Sequence, residues 1–151
     1  MIGVISDTHG LVRPEVFELF KDADLIIHAG DIGSLEVLQA LETLAPVKAV
    51  RGNNDRDAWA DDLPPDQVLN VETHLFYVLH ELEHLNFDPV AADFSVVIYG
   101  HSHRPAHEWK NGVLYLNPGS AGPRRFSLPI AVAKLHTTSS GLVPEIIELQ
   151  K

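Results

Sequence analysis

The sequence has no cysteine, which excludes disulfide cross-links, thiolate zinc sites and a cysteine nucleophile. Any metal must therefore be held by nitrogen and oxygen. Long apolar runs are also missing. The longest, such as 25–27 and 96–99, fall far short of the roughly 20 residues a membrane-spanning helix needs, so no membrane association is expected. No basic, apolar leader is present, because Asp7 and His9 interrupt the first apolar run, and the expected location is the cytoplasm. Positive charge is in short supply: 11 Lys and Arg against 21 Asp and Glu leave a net charge of −10. That balance argues against stable binding of duplex nucleic acid over a general cationic surface. What is present is ordinary. The 151 residues, 45% hydrophobic and 21% charged, suit one globular domain spanning 1–151, with one core and one site.

Three short apolar runs, Ile2 to Ser6, Leu25 to His28 and Val47 to Arg51, lack helical period and read as buried strands. Helical patterns separate them. Pro14 suits a first helical turn, with Val16, Phe17 and Phe20 on one face, and Ser34 suits the N-cap of a helix carrying Leu35, Leu38 and Leu41. This is a βαβαβ pattern, hence parallel pairing. The second half is richer in strands, at 68–71, 75–79, 96–99, 113–116, 130–135 and 146–149. Asp88-Pro89 marks a helical turn or two through Ala92. Two packed sheets with helices outside are expected.

The informative positions lie where strands end, since in open α/β sheets ligands gather beyond the carboxyl ends of the strands. Strand one runs into Asp7-Thr8-His9, strand two into Gly30-Asp31, and strand three into Gly52-Asn53-Asn54-Asp55. The strand from Leu75 ends at His80, and the strand from Val96 ends at Gly100-His101-Ser102-His103. In Asp-x-His and His-x-His, alternate residues of an extended segment point the same way and can reach one ion. Ser6, Ser102 and Ser120 have no base arranged beside them as in a triad, so serine hydrolase chemistry is discarded.

With Asp7-x-His9, Gly30-Asp31, Gly52-Asn53-x-Asp55, His80 and Gly100-His101-x-His103 in this order, the chain resembles the calcineurin-like metallophosphoesterases. Its size and its Asn117-Pro118-Gly119-Ser120 run are similar to their compact bacterial and archaeal phosphodiesterase branch. The resemblance implies a four-layer α/β/β/α sandwich of two mixed β-sheets flanked by helices, with two metals at one sheet edge. It implies Asp7, His9, Asp31 and His103 on the first metal, and Asp31, Asn53, His80 and His101 on the second, with Asp31 bridging. Imidazole, carboxylate and amide oxygen suit Mn²⁺, Fe²⁺, Co²⁺, Ni²⁺ or Zn²⁺; spacing does not choose among them, and Mn²⁺ is the expectation carried forward. Two divalent ions set against the ligand carboxylates of Asp7 and Asp31 leave a site of about +2, which favours an anion such as a small phosphate ester. Two metals about 3.5–4 Å apart can supply a bridging hydroxide that attacks phosphorus directly, the chemistry of a phosphodiesterase. A homodimer is left open.

Two positions depart from the family pattern. Asn54 stands where many members have a histidine able to protonate or hydrogen-bond the leaving group, and asparagine cannot be a general acid. Glu81 stands after His80, where the family usually has glycine. Arg104, following the last ligand, is a candidate phosphate contact beside Asn54. His28 and Asp55 are expected to organise loops rather than bind metal, and His74, His84, His107 and His136 to be ordinary polar residues. The competing reading is a catalytically weak or inactive protein-assembly scaffold with the same fold, as the retromer subunit exemplifies. A complete set of ligand types argues against it.

Overall fold

The first half forms the βαβαβ unit that its apolar runs predict. In the computed structural model, which describes residues 1–149, strands β1 (Ile2–Ile5), β2 (Leu25–His28) and β3 (Val47–Ala49) pair in parallel. Helices α1 (Pro14–Leu19) and α2 (Leu35–Glu42) connect them. Ile5 lies opposite His28 and His28 opposite Ala49, so all three segments leave the sheet at one edge. α1 directs Val16 onto the sheet, and Phe20, its C-cap residue, packs there too. Ser34 holds the N-cap position of α2 with an extended backbone, although its side chain makes no capping hydrogen bond. The buried face of α2 is Val37, Leu38 and Leu41, whereas Leu35 is 41% exposed. At 3.6 residues per turn, residues 37, 38 and 41 share one face and 35 lies outside it.

Strands β4 (Asp66–Val71), β5 (His74–Leu79), β6 (Val96–Ile98), β7 (Ala106–Lys110) and β8 (Val113–Asn117) form a second sheet in the order β4-β5-β6-β8-β7. Its three central strands are parallel and both edges antiparallel. β9 (Ala131–Thr138) and β10 (Gly141–Glu148) return to the first sheet, giving the order β10-β9-β1-β2-β3. β7 has no counterpart among the expected strands, because four of its five residues are exposed and carry no apolar alternation. Its signal is the turn that follows: Asn111 and Gly112 both have positive φ, the conformation of a tight two-residue hairpin, and Lys110 pairs with Val113 across it. β10 begins five residues before the expected run and contains Pro144; as an edge strand it pairs only with β9, where a missing N–H is tolerated. After Asp88 there is a hydrogen-bonded turn rather than a helix, with the Asp88 carboxylate accepting from the Val90 N–H at 3.0 Å.

The main core lies between the sheets, where Val4, Ile27 and Ala29 meet Phe76, Ile98, Leu114 and Leu116. β1 alternates cleanly: Ile2 and Val4 face this core, and Ile5 faces the helices. The outer face of the second sheet is covered more thinly, by a single 3₁₀ turn (Leu82–His84) and the loop after it. There Tyr77 meets Phe87 and Phe94 edge-on, with centroids 4.8 and 5.6 Å away. The result is an α/β sandwich of two mixed five-stranded sheets flanked by helical segments. Among the described residues, no helix is long and apolar enough to cross a membrane.

Candidate metal centre

The loops leaving β1, β2 and β3 meet those leaving β5, β6 and β8, and the backbone there is unusual. Among the described residues, nine non-glycine residues have positive φ, and five of them are Asp7 (56°), His9 (47°), Asp31 (56°), His101 (73°) and His103 (63°). This left-handed region costs an L-residue roughly 1–2 kcal/mol. Strain so concentrated at candidate ligands is stored where geometry matters for function. Two glycines let the loops approach closely: a Cβ on Gly52 would overlap the Asp31 backbone, and one on Gly100 would overlap Ser6 Oγ.

Five of the seven sequence-predicted ligands converge. Asp7 Oδ1 lies 4.0 Å from His9 Nε2, 3.8 Å from His80 Nε2 and 3.4 Å from His103 Nε2. Asp31 Oδ2 lies 3.8 Å from His9 Nε2 and 3.4 Å from His80 Nε2. The remaining two sit beside this group. The His101 ring is 5.3 Å from that of His80, and its Nε2 faces Glu81 Oε1 at 3.3 Å. Asn53 is exposed and lines, with His80, Glu81, Arg51 and Tyr77, a cleft of about 250 Å³ that opens onto the cluster. Asn54 donates twice to Asp31, from its backbone N–H to Oδ1 and from Nδ2 to Oδ2, both at 2.9 Å. Arg104 is exposed, and its guanidinium makes no ion pair among the described residues.

The cluster is strongly charged and largely buried. Burial opposes ionisation of Asp31, yet the His80 imidazole and the Asn54 N–H together hold its carboxyl well below the usual carboxylate range. Asp7 follows the same pattern: burial raises its pKa, but His103, His80 and Ser6 bring it below the ordinary value. Burial pushes His80 down, but the Asp31 contact and the Asp7 charge outweigh it and lift the imidazole above its ordinary 6.5. Any cation held there would compete with this protonation, so its binding is expected to weaken as pH falls.

A second layer of polar residues fixes these loops. Asp55 accepts backbone N–H bonds from Gly52, Ile32 and Gly33 at 2.9, 3.1 and 3.1 Å, tying the loop after β3 to that after β2. Asn117 donates to the Gly100 carbonyl and accepts from the Gly119 N–H, and Ser120 Oγ donates to the Asp7 carbonyl. Sequence reasoning missed Ser6 as a partner of Asp7, to whose Oδ2 it donates at 2.7 Å. Its place directly before the ligand, at the strand end, is the signal. His84 is exposed and paired with Glu81, away from the cluster.

His28 has the organising role expected of it. It is fully buried, and its Nδ1 accepts the Gly30 N–H at 3.1 Å while Nε2 faces Thr8 Oγ1 at 3.0 Å, linking the loops that carry Asp7 and Asp31. Burial lowers its pKa from 6.5 to about 4. As pH falls, the unfolded chain therefore takes up the proton first. His28 contributes stability that is complete above 6.5 and declines as pH drops toward about 4. The full difference is roughly 3 kcal/mol. In metal-free protein, the loss of denaturation midpoint between these pH values is expected to be smaller for His28→Gln than for the wild type. Parallel curves would assign the loss to another group.

Fold and cluster together define an α/β sandwich protein with a candidate metal centre where the loops of both sheets meet. The family model of the calcineurin-like phosphoesterase superfamily domain matches residues 1–140, and the chain belongs to that superfamily. A protein named "Probable metallophosphoesterase" from Methanothermobacter thermautotrophicus is 36% identical to it, over 97% of this chain and 91% of that protein. The structure of an archaeal phosphodiesterase superposes with a TM-score of 0.80 at 27% identity, covering 97% of this chain and 99% of that one. Vps29 of Entamoeba histolytica, solved with Zn²⁺, shares the fold with a TM-score of 0.74 at 20% identity, over 97% and 98% of the two chains.

Proposed function

We propose that this chain is a dinuclear metal-dependent phosphoesterase that hydrolyses small phosphodiesters, using Mn²⁺, in the cytoplasm. The observation that carries this reading is a set of three buried ligand-type atoms that meet in the cluster with no hydrogen-bond partner among the described residues: Asp7 Oδ1, His9 Nε2 and His80 Nε2. Each buried polar group left unpaired costs about 1–3 kcal/mol, and cations among them remove that cost. Asp7, His9, Asp31 and His103 would hold one ion, and Asp31, Asn53, His80 and His101 the other, with Asp31 shared. When bound, the ions supply Lewis-acid charge for the phosphoryl oxygens and a water acidified enough to attack phosphorus.

The chain's own residues supply positioning. Ser6 and the His101 backbone N–H hold Asp7 Oδ2, at 2.7 and 3.1 Å, leaving Oδ1 for the ion. The Ala29 carbonyl accepts from His80 Nδ1 at 2.7 Å, which fixes the tautomer with Nε2 free to ligate. Arg104 is available to a phosphate oxygen. Asn54, beside Asp31, can hydrogen-bond a leaving group but has no proton to give it. Activated leaving groups are therefore favoured, since a missing general acid typically costs ~10²- to 10⁴-fold with poor ones. Asn54→His is expected to raise turnover of an alkyl diester more than that of an aryl diester. An equal effect on both would remove Asn54 from the leaving-group position.

The test is to strip the protein of metal, restore Mn²⁺, and measure hydrolysis of bis(p-nitrophenyl) phosphate and p-nitrophenyl phosphate. Saturable, metal-dependent turnover with preference for the diester is expected. A folded protein that binds metal but turns over neither substrate with Mn²⁺, Ni²⁺, Co²⁺ or Zn²⁺ would favour the assembly-scaffold reading. That reading accounts for the fold and for a bound metal, but not for metal-dependent turnover.

A further inference from the structure

Glu81 stands where the resemblance leads one to expect glycine, and its carboxylate is engaged rather than free. Its side chain is 19% exposed, Oε1 lies 3.3 Å from His101 Nε2, and Oε2 lies 3.3 Å from His84 Nδ1. A neutral imidazole keeps its proton on the nitrogen that faces a carboxylate, which leaves the lone pair on the other. For His101 this means Nε2–H toward Glu81 and a free Nδ1. His80, whose ring stands edge-on to that of His101 with centroids 5.3 Å apart, is anchored in the complementary sense, with Nδ1 on the Ala29 carbonyl and Nε2 free. The His80 ring is thus held from behind by a main-chain carbonyl, and a carboxylate that this chain adds faces the back of the His101 ring.

We propose that Glu81 is a positioning residue of the second metal position: it accepts the Nε2–H of His101, fixes that ring's tautomer and presents Nδ1 to the ion. The inference rests on reading His101 as a ligand. Glu83 comes close to the same pair but is exposed, and it makes no ion pair among the described residues. Outer partners of ligating histidines are typically worth 10- to 100-fold in metal affinity, so Glu81→Gln is expected to weaken one of two Mn²⁺ sites by about that factor and to spare the other. Glu83→Gln should change neither.

Two measurements decide it. Imidazole ¹⁵N shifts of the metal-free protein near neutral pH should show His101 as the Nε2–H tautomer in the wild type and as a mixture in Glu81→Gln. Calorimetric titration of metal-free protein with Mn²⁺ should show the weakened site in Glu81→Gln, partial recovery in Glu81→Asp, and no further loss when Glu81→Gln is added to His101→Ala. An unchanged tautomer, unchanged Mn²⁺ affinity at both sites, or an equal loss in the His101→Ala background overturns the proposal; the last would make Glu81 a direct partner of the ion. If the wild type binds no second Mn²⁺ at all, the proposed function fails instead, and the tautomer measurement still decides whether Glu81 holds His101.

Discussion

Asp31→Ala is expected to lose one bound metal and about a thousandfold or more in diester turnover while the chain still folds. Asp31 is 3% exposed, and its Oδ2 reaches one histidine from each proposed ligand set, His9 at 3.8 Å and His80 at 3.4 Å. Removing it takes one of two carboxylates from the centre and leaves both positions short of a ligand. A metal ion's charge is worth several kcal/mol at a phosphoryl transition state, and each 1.4 kcal/mol is tenfold in rate. The loop beyond β3 also loses one of its two anchors, since both Asn54 donors lose their acceptor while Asp55 keeps its bonds. Asp31→Asn separates the two effects, because it keeps the volume and part of the hydrogen bonding but drops the charge. Metal content by elemental analysis, kcat with Mn²⁺ and circular dichroism on both variants check this. A fully metallated, fully active alanine variant would sink the shared-carboxylate assignment.

The parts of this molecule that were legible in the sequence are those where one residue type answers to one physical demand. β1 and β2 read as strands because burial on both faces makes them continuously apolar, and their polar ends marked the edge where the ligands gather. Asp7, His9, Asp31, His80 and His103 do converge there. What escaped depends on neighbours distant in sequence. β7 is an exposed edge strand whose partner, not its composition, makes it a strand. Ser6 and Glu81 reveal themselves only once the loops meet, because a serine before an aspartate or a glutamate after a histidine has no fixed meaning until its acceptor or donor is known. The thin cover over the second sheet was equally hidden, since Phe87 and Phe94 lie in irregular chain whose periodicity carries no signal. Asn53 and His101 fall between these cases. Their residue types suggested ligation, while Asn53 lines the cleft that Glu81 also lines and His101 faces Glu81 itself.

Gly52→Ala is expected to lower diester turnover by about a hundredfold with only a modest loss of stability, and the separation of the two is the point of the experiment. Gly52 packs directly against the main chain of Asp31, and an added Cβ would overlap the Asp31 backbone nitrogen as well as Oδ1. Neither is the free end of a flexible side chain, so the loop after β3 must move away from the loop after β2. That shift also pulls on Asp55, which bonds Gly52, Ile32 and Gly33 at once. Overpacking of this kind costs about 1–3 kcal/mol, which a folded domain of this size can absorb. Displacement of a reacting group by about 1 Å costs roughly 10²-fold in rate. The comparison is Gly112→Ala, in the β7–β8 turn: with φ of 84° it strains the backbone, but its Cβ would meet nothing within 4 Å. Melting temperature, Mn²⁺ affinity and kcat measured on both variants should show a stability loss in each, with weakened metal binding and turnover confined to Gly52→Ala. If the two variants lose activity alike, the close approach of Gly52 to Asp31 is not what sets the geometry of the centre.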